Sequence, residues 1–181
     1  EMREFGSEAL EFSGGGEPTV HRDFAENVLK ASELGFALGL ITHGCNEMPL
    51  ELLAAKAKYV RVGLDAATPK THMAIKRKDN PRFFERAIRN IRDLVAIRDR
   101  NREDAMPEGF PYGFTVGIKV VLNSINYSET PEIVKLARDL RVDYIQIKYE
   151  HSSDHPLHPD EIISGQAYLD EEAKKNGGTK I

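Results

Sequence analysis

Apolar residues in this chain follow two alternating spacings. Over 8–12 (EALEF), 36–42 (FALGLIT), 58–64 (KYVRVGL), 114–122 (FTVGIKVVL) and 142–149 (VDYIQIKY) they fall in short runs rich in Val, Ile, Phe and Tyr, the pattern of strands. Between these runs the spacing widens to three and four. Phe24, Val28 and Ala31 recur through 21–34, ahead of a helix stop at Gly35. A short helical stretch covers 49–56, and Phe84, Ala87, Ile88, Ile91, Leu94 and Val95 make one stripe through 81–100, where Pro81 suits a first turn. After the Pro/Gly-rich loop 106–113 and the fourth strand, Thr130 and Pro131 read as N-cap and first helical residue of a helix with Ile133, Leu136, Ala137 and Leu140 on its apolar face.

Strands alternating with helices of this length imply parallel pairing through right-handed crossovers. The sequence therefore predicts an α/β fold: a partial (β/α) barrel of about five βα units with mostly parallel strands. A full eight-unit barrel needs about 250 residues, and the chain has 181. Residues 1–150 read as the core. Residues 151–181, which mix His, Pro and Asp with a polar helical stretch, read as a C-terminal appendage or the start of a further unit.

Charge narrows the partners. With a net charge of -4 the chain has no overall basic field to hold nucleic acid or an anionic membrane, and no apolar run suggests a membrane span or signal peptide. Cys45 is the sole cysteine, which excludes an intramolecular disulfide and fits a reducing compartment; the expected location is the cytoplasm.

In parallel α/β folds the loops after the strands gather at one edge of the sheet, where sites are built. The loop FSGGGEPT at 12–19 is the most distinctive of them. Its glycines let a ligand approach the main chain closely, and Glu17 adds a carboxylate. A phosphate cradle would place Lys or Arg there, and neither a G-x-G-x-x-G nor a GK[ST] element is present. An ammonium is the better match, against the plainer reading of a solvated turn.

Taken in order, LEFSGGGEPT, LITHGC, YVRVGLDAATPKTHMAIKR, FERAIRNIRDL and IKVVLNSINYSETPEIVKLARDLRVDYIQIKY resemble the radical S-adenosylmethionine enzymes over most of residues 8–150. The resemblance implies that Gly15, Gly16 and Glu17 contact the methionyl amine of S-adenosylmethionine. It implies further cofactor contacts at Thr42, at Asp65, at Asn123, and along Ile145, Gln146 and Ile147 near the ribose and adenine. His43 stands where the family usually has Asn, and Gly63 where it has Ser. The family also binds a [4Fe-4S] cluster through a three-cysteine loop after its first strand, and those ligands are absent from this sequence. The chain opens mid-unit, so the expectation is that the complete protein carries the first strand and cluster loop ahead of it; the alternative is a cluster-free relative.

Other candidates are weaker. No Lys or Arg adjoins Cys45 to lower its pKa, so a structural cysteine is expected. His151, His155 and His158 with Asp154 and Asp160 are dense, but Pro156 and Pro159 break any regular ligand spacing, and no metal site is assigned. Arg82, Arg86, Arg89 and Arg92 line one side of the long helix, where Glu85 and Asp93 can pair with Arg89 as on a solvated face. The reading is thus a radical S-adenosylmethionine enzyme core acting on an unknown substrate, with an electron-donor protein as expected partner and no catalytic residue assigned. The alternatives are a cluster-free module binding S-adenosylmethionine, a nucleoside or a partner protein, and an unrelated barrel using Glu17 and Asp65 as acid and base.

Overall fold

The computed structural model describes residues 4–77, 79–105, 113–150 and 155–175. Five strands, β1 (Ala9–Phe12), β2 (Ala37–Thr42), β3 (Ala57–Gly63), β4 (Thr115–Leu122) and β5 (Tyr144–Tyr149), form one sheet in chain order. Every neighbouring pair is parallel. The helices are α1 (Phe24–Glu33), α2 (Leu50–Lys56), α3 (Pro69–Lys76), α4 (Arg82–Ala105), α5 (Thr130–Asp139) and α6 (Pro159–Lys175). β1 is an edge, paired to β2 alone among the described residues, with Ala9 and Glu11 exposed.

One face of the sheet carries the core. Leu38 and Leu40, Val60 and Val62, then Val116, Ile118, Val120 and Leu122 point to the helices and are buried with Leu53, Phe84, Ile88, Ile91, Leu94 and Ile133. Burying each such side chain contributes roughly 1.5–3 kcal/mol, so the stripe of α4 and the odd-even pattern of the strands together decide which way the sheet faces. The rim of this layer is charged. Asp143 accepts from Val116 N–H at 2.8 Å and pairs with Arg98 (2.7 Å) and Arg102 (2.8 Å) of α4, tying the starts of β4 and β5 to the long helix.

Two helix boundaries depart from the sequence reading. α3 was not anticipated: Thr68 caps it by accepting from Thr71 N–H, and Pro69 opens its first turn, but only His72 is buried, so its apolar periodicity is too faint to see. At α5 the observed cap position is Glu129 and Thr130 is already helical. The 3-10 turn Tyr127–Glu129 runs directly into the helix, and Glu129 directs its carboxylate elsewhere. The α4 arginines also reach across to the preceding unit, Arg86 to Glu47 at 3.1 Å and Arg100 to Glu51 at 2.8 Å.

α6 packs on the same side as the other helices. Tyr127 Oη meets Ser164 Oγ at 2.6 Å, Arg138 meets Glu172 at 2.5 Å, and Leu169 is buried. His151 and Asp154 lie outside the described residues; His158 is exposed near the start of α6, and among the described residues no cluster of three or more His, Cys, Asp or Glu is arranged to hold a metal. No helix among them is long and apolar enough to cross a membrane.

Candidate functional site

The loops that follow β1, β2, β3 and β4 meet at the C-terminal edge of the sheet, and a short polar network fixes each. Glu17 joins the first two. Its Oε1 accepts from Thr42 Oγ1 (2.6 Å), Thr19 Oγ1 (2.7 Å) and Thr19 N–H (3.2 Å), and its Oε2 accepts from His43 N–H (2.9 Å). Burial by itself would raise this carboxyl, but the Thr42, His43 and Thr19 donors outweigh it and hold Glu17 below the usual carboxylate range. Glu17 is therefore ionised. His43 Nδ1 accepts from Cys45 N–H at 2.9 Å, and its Nε2 lies 3.4 Å from Glu17 Oε2. The glycines before Glu17 stand open: a Cβ added to Gly14, Gly15 or Gly16 would meet no atom within 4 Å.

Behind this end, Asn90 of α4 donates to the carbonyls of Gly44 (2.7 Å) and Asn46 (2.8 Å) and pins the loop after β2. Cys45 is buried there, and burial pushes its thiol up to about 11. It is a packed thiol, not a nucleophile.

The other end is organised by Asp65, Asn123, Asn126 and Glu129. Asp65 Oδ1 accepts from Val121 N–H and its Oδ2 pairs with Lys76 of α3, both at 2.8 Å. Fully buried Asn126 donates to Asp65 O (2.7 Å) and Val121 O (2.9 Å) while its Oδ1 accepts from Asn123 N–H (2.8 Å). Asn123 then donates to Glu150 at 2.9 Å. Glu129 accepts from Ala67 N–H (2.9 Å) and the hydroxyls of Thr68 (3.0 Å) and Thr71, holding the β3–α3 turn. Asn126, Glu129, Asn90 and Lys76 were not singled out as site residues in the sequence. The Thr68-Pro69 pair, the same signal that announced α5, was available to place α3 and so Lys76 near Asp65.

Two adjoining clefts result. One, of about 300 Å³, is lined by Gly14, Gly16, Glu17, Thr42, Asp65 and Lys119 among others. The second, of about 370 Å³, is lined by Asp65, Arg77, Val121, Asn123, Glu150 and His155 with neighbouring isoleucines. Asp65 and Val121 form the shared wall. Glu17, Thr42 and Asp65 thus face one space, Asp65 and Asn123 the next. Ile145 is buried among the helices and Ile147 packs against the same core, so only their main chain lies on the sheet, while Gln146 projects to the open face.

The model of the radical SAM superfamily matches residues 3–98, just over half of the sequence. The chain belongs to the radical S-adenosylmethionine superfamily. Among curated relatives, the tungsten-containing aldehyde ferredoxin oxidoreductase cofactor-modifying protein of Pyrococcus furiosus is 27% identical over 154 residues, covering 83% of this chain and 39% of that protein. An S-adenosylmethionine-dependent nucleotide dehydratase of Selenomonas ruminantium is 41% identical over 73 residues, 38% of this chain and 26% of its own length. The chain therefore spans well under half of either relative. Among solved structures, SuiB of Streptococcus suis bound to S-adenosylmethionine superposes with a TM-score of 0.66 at 15% identity, over 90% of this chain and 34% of that one. That likeness concerns the partial-barrel fold. Membership of the superfamily supports S-adenosylmethionine-dependent radical chemistry in general terms.

Proposed function

We propose that the C-terminal edge of the sheet binds S-adenosylmethionine and that this chain is the core of a radical S-adenosylmethionine enzyme that abstracts hydrogen from its substrate. The supporting observation is the contrast within one loop: Glu17 is fixed by four hydrogen-bond donors, while the three glycines before it are open to a ligand. The donor set suits an amino acid head group. Main-chain carbonyls of Gly15 and Gly16 would accept from its ammonium beside the negative charge of Glu17, with Thr42 holding the carboxylate of Glu17 in place. Asp65 and Asn123 would hold ribose hydroxyls, and the main chain of Ile145 to Ile147 would border the adenine, whereas the Gln146 side chain turns to Arg61 on the open face.

The residues do not fit a [4Fe-4S] cluster. Cys45 is the sole cysteine of the sequence, buried and protonated, so no residue of this chain is assigned to electron delivery. In the superfamily such a cluster supplies the electron that splits the cofactor, and an electron-donor protein would be the partner that reduces it. This chain's own contribution is to orient the cofactor and keep water from its reactive end.

Calorimetry with S-adenosylmethionine tests the cradle. With hydrogen bonds of about 0.5–3 kcal/mol each set against association costs of about 4 kcal/mol or more, this chain should bind in the range of about 0.1–1 mM. Gly16→Val, whose side chain would enter open space, should weaken that binding at least about tenfold without lowering the melting temperature. Absence of saturable binding, or equal affinity in the variant, would overturn the reading. Micromolar affinity without iron would point instead to a cluster-free binding module.

A further inference from the structure

The open face of the sheet carries a second constellation, which adjoins the first cleft at Lys119. Registered across the strands are Glu11, Gly39 and Tyr59, then Arg61, Gly117 and Tyr144, then Lys119 and Gln146. The two glycines are floor tiles for the two tyrosines: a Cβ on Gly39 would collide with the Tyr59 ring, and one on Gly117 with the Tyr144 ring. With the rings laid flat, the Arg61 guanidinium is held between them, 5.3 Å from the Tyr59 centroid and 5.8 Å from that of Tyr144. Tyr59 donates its hydroxyl to Glu11, and burial together with that carboxylate pushes the phenol up to about 12.

The hydrogen-bond directions are what identify a ligand. Arg61 Nε donates to Tyr144 Oη at 3.2 Å and Arg61 Nη1 donates to Gln146 Oε1 at 3.1 Å. Arginine can only donate, so Tyr144 accepts through its oxygen and keeps its own proton to give, and Gln146 keeps both protons of Nε2. Arg61 Nη2, the Tyr144 hydroxyl and Gln146 Nε2 are therefore three donors on one open face. Among the described residues none of them meets an acceptor. Glu11, whose charge also acts on Arg61, is engaged by the Tyr59 hydroxyl.

We propose that Arg61, Tyr144 and Gln146 form a subsite for an oxyanion of the substrate, a carboxylate or phosphate group. The inference rests on the reading of the neighbouring clefts as the cofactor cradle, because a substrate beside the cofactor would extend down this face. A preset fork of donors with a planar cation favours an anion with two or more acceptor oxygens over a neutral group.

The test uses the 181-residue chain at low ionic strength, with the ring resonances of Tyr59 and Tyr144 followed by NMR during separate titrations with inorganic phosphate, acetate and neutral acetamide. Saturable shifts with phosphate, acetate or both, and none with acetamide, are expected; which anion saturates first tells a phosphorylated from a carboxylate substrate. Arg61→Gln should weaken the effect at least about tenfold. Should that variant not fold, Tyr144→Phe, which keeps the ring, should weaken the response of Tyr59 several-fold. Gly16→Val should leave anion binding intact, which separates this proposal from the fate of the cofactor cradle. No saturation with either anion, unchanged binding in the variants, or displacement of the anion by S-adenosylmethionine would overturn it.

Discussion

On β3 the chain serves two environments in alternate residues. Val60 and Val62 are fully buried against the helices, whereas Tyr59, Arg61 and Gly63 line a face that no helix covers among the described residues. The same division runs through β4, with Ile118 and Val120 on one side and Gly117 and Lys119 on the other. The helix side is held by area removed from water, which is non-directional and tolerates exchange among residues of similar volume. The open side is held by directional contacts: arginine between tyrosines, and carboxylates fixed by three or four donors. One face is built for stability and the other for recognition, and substitutions should separate the two.

The largest effect belongs on the helix side. Leu122→Ala should destabilise by about 3 kcal/mol, because a fully buried side chain is removed and the cavity only partly collapses. For a chain of this size that lowers the melting temperature by about 8 °C. Lys119→Ala, three residues earlier on the open face, should change stability by less than about 0.5 kcal/mol. Equal losses in a thermal melt would erase the distinction.

Asp143, paired with buried Arg98, is a charged exception on the helix side, and it makes that side pH-dependent. Burial would raise its carboxyl, but Val116 N–H, Arg102 and Arg98 hold it below the usual aspartate range. A depressed folded-state value means stability that is fully present above the ordinary carboxylate pKa and lost as pH falls through the folded one. Asp143→Asn should cost about 2 kcal/mol above about pH 5, and the gap to the parent protein should narrow below about pH 4. Denaturant melts across this range check the sign; a gap that widens in acid would refute the assignment.

Gly117→Ala tests the open face itself. The added Cβ collides with the Tyr144 ring, at a cost of about 1.5 kcal/mol. Combining it with Tyr144→Ala should recover most of the loss relative to Tyr144→Ala alone, a coupling that a double-mutant cycle reads directly. A simple sum of the two effects would mean that the glycine is not there for the ring.

The difference between the faces also explains what could be read in advance. Hydrophobic spacing is a property of the helix side, so the strands, α1, α4 and the parallel order followed from residues such as Leu38, Val62 and Ile91. The family resemblance drew attention to Glu17, Asp65 and Asn123, which the structure brings to the same edge of the sheet. The residues that position them were not legible, because nothing in the periodicity marks Asn126 as the donor to Asp65 O or Asn90 as the anchor of the β2 loop. Such bonds join residues 46 and 61 positions apart, and local pattern carries no information on them. α3 escaped for the opposite reason: its signal was local, in Thr68-Pro69, but its single buried residue left no stripe.

The smallest effect concerns two turns on the helix side that share a geometry and differ in residue. After α1, Gly35 has φ 79° and Phe36 N–H closes on Ala31 O at 3.2 Å; after α5, Arg141 has φ 55° and Val142 N–H closes on Ala137 O at 3.4 Å. Both are the six-residue closure that ends a helix through a left-handed residue, a position where glycine escapes the clash that a Cβ brings. Arg141 is retained with an ion pair to Asp99 at 3.3 Å, but its side chain is 74% exposed, and such pairs contribute little. Relief of the backbone strain should therefore outweigh the lost pair and the extra freedom of glycine in the unfolded chain. Arg141→Gly is expected to stabilise the protein by about 0.5 kcal/mol, whereas Gly35→Arg should destabilise it by about 1 kcal/mol. Urea melts of the two variants decide the matter, and a loss of stability in Arg141→Gly would show that the arginine contributes more through Asp99 than its backbone costs.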